Sequence, residues 1–135
     1  MHRVVAMPRS ATPIYVVDDD ESVREALTAF LGSFAFDARA FASAEAFLDA
    51  DVDPSIGCLI LDITMPGMNG EQLQAHLCES AQRIPIVFVT ARTGAAVRAR
   101  VLGRGAVACL TKPFEDDELL NAVNTAIGSH QQGTP

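Results

Sequence analysis

The stretch "IYVVDDDES", residues 14 to 22, decides the fold, because an apolar run ends there abruptly on three consecutive aspartates. Four apolar residues in a row (14–17) are typical of a short strand that is buried on both faces. Apolar residues then recur at a spacing of three to four, at Val23, Leu27 and Phe30, which predicts an amphipathic helix. Ser22 and Glu25 have the spacing of a capping box near its start. A buried strand followed by a helix indicates a parallel α/β sheet.

The same alternation continues to the end of the chain. Further buried strands are predicted at "CLIL" (58–61), "IVFV" (86–89) and "VACL" (107–110), and a more polar edge strand at "FDARAF" (36–41). Helical patterns follow each of them, the last around Leu119 to Ile127. Five strand–helix units predict an α/β fold, a doubly wound five-stranded parallel sheet with five helices on both faces.

Length and charge limit the possible functions. With 135 residues the chain is expected to hold one domain (14–127), between a flexible N-terminal arm (1–13) and a disordered tail or truncated linker (128–135). No apolar run approaches the ~20 residues of a membrane helix, and Pro8 interrupts the start too early for a signal peptide, so a cytoplasmic location without membrane contact is expected. The net charge of -7 argues against nucleic-acid contact by this domain.

Polar residues stand where the buried strands end. Asp18, Asp19 and Asp20 follow the first strand, and the ends of the later strands carry Asp62, Thr90, Thr111 and Lys112. In open parallel sheets, ligands bind just beyond the carboxyl ends of the strands. We therefore expect these side chains to form one site.

The residue types at these ends favour phosphoryl chemistry. Clustered carboxylates are unstable without a cation, and oxygen ligands favour Mg²⁺, or Mn²⁺, over zinc. A lysine and a threonine hydroxyl can donate hydrogen bonds to phosphoryl oxygens. The sequence has no glycine-rich phosphate loop, so an aspartate that itself accepts the phosphoryl group is the simplest hypothesis.

Taken together, "VVDDDES", "LILDITMPGMNG", "VTA" and "LTKPF" resemble the receiver domain of bacterial two-component response regulators. The resemblance covers residues 14 to 127 and is nearest to receivers of the FixJ type, through "KPFEDDELLNAV" (112–123). It implies the flavodoxin-like strand order 2-1-3-4-5 of CheY-like proteins.

The resemblance also implies a role for each residue at the strand ends. Asp62 is the expected phospho-acceptor, which Lys112 pairs with before the transfer, while the Thr90 hydroxyl binds the phosphoryl group. The expected metal ligands are Asp18 (directly or through water), Asp19, Asp62 and the backbone carbonyl of Thr64. Ile63, Thr64 and Ala91 are expected to complete the phosphoryl cradle, and the Lys112–Pro113 bond is expected to be cis. Asp20 is expected instead to begin the first helix.

One position departs from the family pattern. Receivers usually have an aromatic residue three positions before the lysine, and its ring moves with the site threonine; here the switch position is Cys109. A thiol cannot sweep the same volume. The coupled motion of Thr90 is therefore either lost or carried by small movements of the fourth helix and its preceding loop.

The resulting hypothesis is a regulatory signalling domain, whose only chemistry is its own phosphorylation and autodephosphorylation. The expected donor is a histidine kinase or phosphotransfer protein. Phosphorylation would shift a conformational equilibrium and change contacts with a second copy or an output domain through the fourth helix, fifth strand and fifth helix, including the arginine stretch from Arg98 to Arg104. The alternatives are a small phosphatase of the haloacid-dehalogenase kind and a binding module that needs no phosphorylation.

Overall fold

A computed structural model describes residues 13–50, 52, 57–80, 84–91 and 94–132, in which five strands and five helices alternate strictly. The strands are β1 (Ile14–Val17), β2 (Ala38–Phe41), β3 (Cys58–Asp62), β4 (Ile86–Thr90) and β5 (Ala108–Thr111). The helices are α1 (Glu21–Gly32), α2 (Ala44–Asp49), α3 (Gly70–Glu79), α4 (Ala95–Gly103) and α5 (Asp116–Gln132). Every predicted strand and helix is therefore present, with small shifts at the ends.

The strands form one parallel sheet in the order β2-β1-β3-β4-β5, which confirms the predicted topology. Val17 of β1 lies opposite Leu61 of β3, and Asp62 lies opposite Val89 of β4. The register thus brings the carboxyl ends of the three central strands to the same level. Whatever follows these strands in sequence meets at one edge of the sheet.

Both faces of the sheet are buried, as the continuous apolar strands predicted. One face packs against α2, α3 and α4, and its core includes Leu59, Leu61 and Phe88. The other face packs against α1 and α5, and its core includes Ile60 and Val87. Adjacent strand residues point to opposite faces, so each strand feeds both cores.

Asp20 begins α1, as expected. Its side chain accepts hydrogen bonds from the backbone N–H groups of Ser22 at 2.9 Å and Val23 at 3.4 Å, which otherwise lack partners in the first turn. The predicted capping box of Ser22 and Glu25 is wrong, because the helix is capped two residues earlier than Ser22. The third aspartate of the cluster, Asp20, is therefore the N-cap of α1.

The predicted ends of the domain differ from the structure at one side. Helix α5 continues to Gln132, past the expected boundary at 127. Residues 128–132 contain no proline, and a single glycine is tolerated in a helix. The described residues begin at Pro13, so the expected arm lies almost wholly outside them. Residues 133–135 of the tail also lie outside them. Within the described part of the chain, no helix has both the length and the apolar character needed to cross a membrane.

Gly70 sets how closely α3 approaches the end of β3. A Cβ at this position would lie 2.4 Å from the Asp62 carbonyl oxygen and 2.9 Å from the Ile63 Cα, both backbone atoms that cannot turn away. The Gly70 N–H also donates to the Ile63 carbonyl at 2.9 Å. Only a residue without a side chain allows this contact.

We expect Gly70→Ala to lower the free energy of unfolding by about 1–3 kcal/mol, because α3 must shift away from β3. Urea unfolding measures this change. The matched control is Gly103→Ala at the end of α4, where an added Cβ meets nothing within 4 Å. This control is expected to be neutral or slightly stabilising, and an equal loss in both variants would contradict the steric explanation.

Candidate functional site

Three carboxylates meet at the ends of β1 and β3. Asp18, Asp19 and Asp62 each offer an oxygen, and these oxygens all lie within 4.8 Å of one another. Asp18 is 1% and Asp62 7% exposed, whereas Asp19 is open to solvent. The predicted cluster is thus formed, through the pairing of β1 with β3.

Asp18 is held by neighbours on three sides. Its carboxylate accepts from Lys112 Nζ at 3.1 Å and from the backbone N–H of Asp20 at 2.9 Å. Its backbone carbonyl accepts from Arg24 Nη1 at 2.8 Å. A buried carboxylate needs such partners, because desolvation without them is unfavourable. The sequence analysis did not predict this role of Arg24. The signal for it was a cation in the first turns of a helix that directly follows a cluster of aspartates.

The hydrogen bond of Lys112 differs from the expected one. The resemblance paired Lys112 with Asp62, but the ammonium group donates to Asp18, the more deeply buried of the two carboxylates. Lys112 still acts on Asp62 through space, where its charge favours the ionised form. One cation thus serves two carboxylates, by contact with Asp18 and by its field at Asp62.

The environment of Asp62 disfavours its charge. Burial and, to a smaller extent, the neighbouring charges of Asp18 and Asp19 raise the pKa of Asp62 to about 6. Lys112 and a hydrogen bond from the Thr64 backbone act in the opposite direction without cancelling the increase. A carboxylate in this state is stabilised by any added cation.

These donors fit a hard divalent cation. All the available ligand atoms are oxygens, and their mutual repulsion is what such an ion would relieve. Exposed Asp19 leaves one side of the cluster open to solvent, which suits Mg²⁺ because this ion keeps several waters. The chemistry of the cluster therefore agrees with the expected Mg²⁺ or Mn²⁺.

The remaining predicted site residues follow the same edge of the sheet. Thr90, 1% exposed, ends β4, and its carbonyl accepts from the Lys112 N–H at 2.7 Å. The Lys112–Pro113 peptide bond is cis, as expected. Exposed Ala91 directly follows β4, while Ile63 (buried) and Thr64 (exposed) directly follow Asp62. Arg92, the next residue but one after Thr90, lies outside the described residues.

Cys109 lies at the switch position, 1% exposed, in the core beneath α4. Burial raises the pKa of its thiol, which opposes formation of the reactive thiolate. Arg98 of α4 reaches over this position, and its Nη1 donates a hydrogen bond to the Cys109 carbonyl. A small buried side chain and an arginine above it thus occupy the region between α4 and β5.

The arginine stretch of α4 is held largely by contacts within the domain. Arg100 donates to both carboxylate oxygens of Glu71, at 2.9 and 3.1 Å, and Arg104 lies 3.6 Å from the same group. Buried Gln74, one turn further along α3, donates to the Val101 carbonyl at 3.0 Å. These contacts fasten α4 to α3.

Comparison with known proteins places the chain in a family. A sequence model of the response regulator receiver domain matches residues 14–124. The transcriptional regulatory protein TdiR of Thauera aromatica is 41% identical over 123 residues, which are 91% of this chain and 54% of TdiR.

Solved structures agree with this assignment. The response regulator StyR has a TM-score of 0.83 at 39% identity, over 90% of this chain and 61% of StyR. The crystal structure of FixJ-N has a TM-score of 0.79 at 32% identity, over 87% of this chain and 94% of that structure. The chain spans about half the length of the curated relatives it matches. It belongs to the response regulator receiver domain family, and it is a regulatory domain of the FixJ-like and CheY-like kind.

Proposed function

We propose that this domain accepts a phosphoryl group on Asp62 and that Mg²⁺ binding is required for the transfer. The observation that supports this most directly is the arrangement of Asp18, Asp19 and Asp62 with Lys112 at one edge of the sheet. Three carboxylates and one lysine leave excess negative charge at this edge. A bound cation would neutralise that charge, so that a negatively charged phosphoryl group could approach Asp62. A cytoplasmic location is part of this proposal.

In the proposed step, a carboxylate oxygen of Asp62 forms a bond to phosphorus while the bond between phosphorus and its donor breaks. With a phosphohistidine donor the broken bond is P–N, and the released imidazole takes up a proton. Positioning and neutralisation of charge contribute most to such transfers. Lys112 supplies positive charge beside the acceptor, and the Thr90 hydroxyl and Ala91 N–H are proposed to bind phosphoryl oxygens.

Asp18, Asp19, Asp62 and the Thr64 carbonyl are the residues that would hold the metal ion. A bound Mg²⁺ would neutralise the cluster and supply positive charge beside the acceptor. Asp18 is already fixed by Lys112 and the Asp20 N–H, so it is arranged before any ion arrives. The protein thereby avoids ordering this ligand during binding.

The proposed partners are a histidine kinase or phosphotransfer protein as donor, and a second copy or output domain as receiver of the signal. The proposed signalling surface consists of α4, β5 and α5. An open groove of about 270 Å³ runs between β5 and α5; it is lined by Val107, Ala108, Leu110, Glu118, Asn121, Ala122 and Thr125. Arg100 and Arg104, both half-exposed, lie at the α3 side of α4 and can exchange their Glu71 contacts for a partner's carboxylates.

Asp62→Asn is expected to abolish phosphorylation by acetyl phosphate in Mg²⁺, because the amide cannot form the acyl phosphate. Intact-mass spectrometry should show one added, hydroxylamine-labile phosphoryl group on the wild type only. The control Asp20→Asn changes the helix cap and should keep phosphorylation. An unmodified wild type would favour the binding-module alternative, and steady hydrolysis of simple phosphate esters would favour the phosphatase.

Asp62 is also expected to make metal-free stability depend on pH. The pKa of Asp62 in the folded state is raised to about 6. Its protonated form therefore contributes to the free energy of unfolding, fully below about pH 4, and this contribution is lost as the pH rises through about 6. In EDTA, Asp62→Asn should therefore exceed the wild type in free energy of unfolding at neutral pH, and the difference should shrink towards pH 4. The exposed Asp49→Asn is the control for the amide substitution. A difference that does not vary with pH would contradict the assignment.

Beryllofluoride with Mg²⁺, a phosphoryl mimic, is expected to alter the α4–β5–α5 surface. Hydrogen exchange should change in these three elements, and light scattering should show a higher mass if the receiver of the signal is a second copy. Asp62→Asn, which removes the attachment point, is the control. Unchanged exchange in all three elements of the wild type would exclude this surface as the signalling one.

A further inference from the structure

We propose that Glu45 of α2 is a positioning residue for the Mg²⁺ site, acting through the loop that links Asp62 to α3 (residues 63–69). Its Oε2 accepts a hydrogen bond from the backbone N–H of Met68 at 2.9 Å, across 23 positions of sequence. This inference rests on the proposed function, because the loop carries Thr64, the candidate backbone ligand. Glu45 itself touches neither the metal site nor the acceptor.

The loop is closed at its base and held at its tip by different contacts. At the base, Ile63 and Gly70 are joined by a backbone hydrogen bond of 2.9 Å. Near the tip, the Glu45 carboxylate receives the Met68 N–H. Between these two points lies exposed Thr64, whose backbone N–H also hydrogen bonds to Asp62. The position of the Thr64 carbonyl therefore depends on both anchors.

The tip of the loop is shaped around this carboxylate. Gly67 has a φ of 72°, which favours glycine, and a Cβ there would lie 2.7 Å from Glu45 Oε2. The Met68 N–H and the N–H of Glu45 itself lower the pKa of Glu45. The carboxylate is therefore ionised and bound near neutral pH, as a charge-assisted acceptor.

Helix α2 gives Glu45 a fixed base. Its neighbour Ala44 is fully buried and Phe47 is 2% exposed. The Phe47 ring packs edge-on against Tyr15 of β1 and Phe41 of β2, with centroids 5.8 and 5.6 Å apart. Glu45 thus joins the loop to a helix whose own position is fixed by packed aromatic residues.

An exposed hydrogen bond of this kind contributes little to global stability, but it can restrict a loop. Residues that orient metal ligands without binding the metal commonly change metal affinity by about tenfold or more. For an exposed contact four residues from the ligand, we expect a change of about three- to tenfold. The effect should be on metal affinity, with little change in the transfer rate once Mg²⁺ is saturating.

Two variants of Glu45 separate the effect of its side-chain length from the effect of its charge. Glu45→Gln keeps the length and a carbonyl acceptor for Met68 but loses the charge, whereas Glu45→Asp keeps the charge and is one methylene too short. Asp49→Ala removes a carboxylate from the same helix without touching the loop. Both Glu45 variants suit the first turn of a helix, so folding is expected to be retained, and thermal unfolding checks this.

Three quantities are measured on the whole chain: Mg²⁺ affinity by calorimetry, exchange of the Met68 amide by NMR, and the rate of phosphorylation by acetyl phosphate. Glu45→Asp should weaken Mg²⁺ binding by about three- to tenfold, speed Met68 exchange, and slow phosphorylation by the same factor at limiting Mg²⁺ only. Glu45→Gln and Asp49→Ala should stay within about twofold of the wild type.

Wild-type Mg²⁺ affinity in Glu45→Asp overturns the proposal, and if Glu45→Gln alone weakens Mg²⁺ binding, the charge of Glu45 acts without positioning the loop. If the wild type binds Mg²⁺ but accepts no phosphoryl group, the proposed function fails. Calorimetry and Met68 exchange still decide the role of Glu45 in that case. A wild type that binds no Mg²⁺ overturns both proposals.

Discussion

The parallel pairing of β1 with β3 forces like charges together, and the surrounding structure depends on managing that repulsion. Because Val17 lies opposite Leu61, Asp18 and Asp62 must stand side by side. Lys112, brought by β5 from the edge of the sheet, offsets part of the charge by binding Asp18. The pKa of Asp62 stays raised, mainly because the carboxyl is buried and also because Asp18 and Asp19 are negatively charged. The strain is confined to one edge of the sheet, and it is the edge at which a cation can enter.

The same edge is connected to α3, and through α3 to α4, by backbone packing and ion pairs. Gly70 brings the start of α3 against the Asp62 and Ile63 backbone with no side chain between them. The next residue, Glu71, binds Arg100 of α4 and Arg104, the residue that caps the end of α4. A displacement at the end of β3 therefore has a direct physical route to α4. That route does not pass through Cys109, where the family's aromatic residue is missing.

Much of the fold and of the site could be predicted because the signals were local and repeated. Apolar runs located the strands, and the rule for parallel sheets gathered Asp18, Asp62 and Lys112 at one edge. What escaped prediction were contacts between residues distant in sequence that carry no pattern. Glu45, an ordinary acidic residue in the first turn of a short helix, gave no sign that it reaches Met68. The choice of Lys112 between two carboxylates depended on their relative burial, which only the three-dimensional arrangement reveals.

Cys109 places a small buried side chain between α4 and β5, where receivers usually have an aromatic ring. Arg98 lies over Cys109 and donates to its carbonyl, so the Arg98 side chain joins α4 to the backbone of β5. On the other side of α4, Gln74 donates to the Val101 carbonyl, and its buried Oε1 has no hydrogen-bond partner among the described residues. A buried amide whose oxygen accepts no hydrogen bond is costly, and its energy changes strongly when neighbouring groups shift by a small distance. Helix α4 is thus held by an arginine towards β5 and by ion pairs and a partly satisfied amide towards α3. Its movement can be controlled by exchanging polar contacts, without the turning of an aromatic ring.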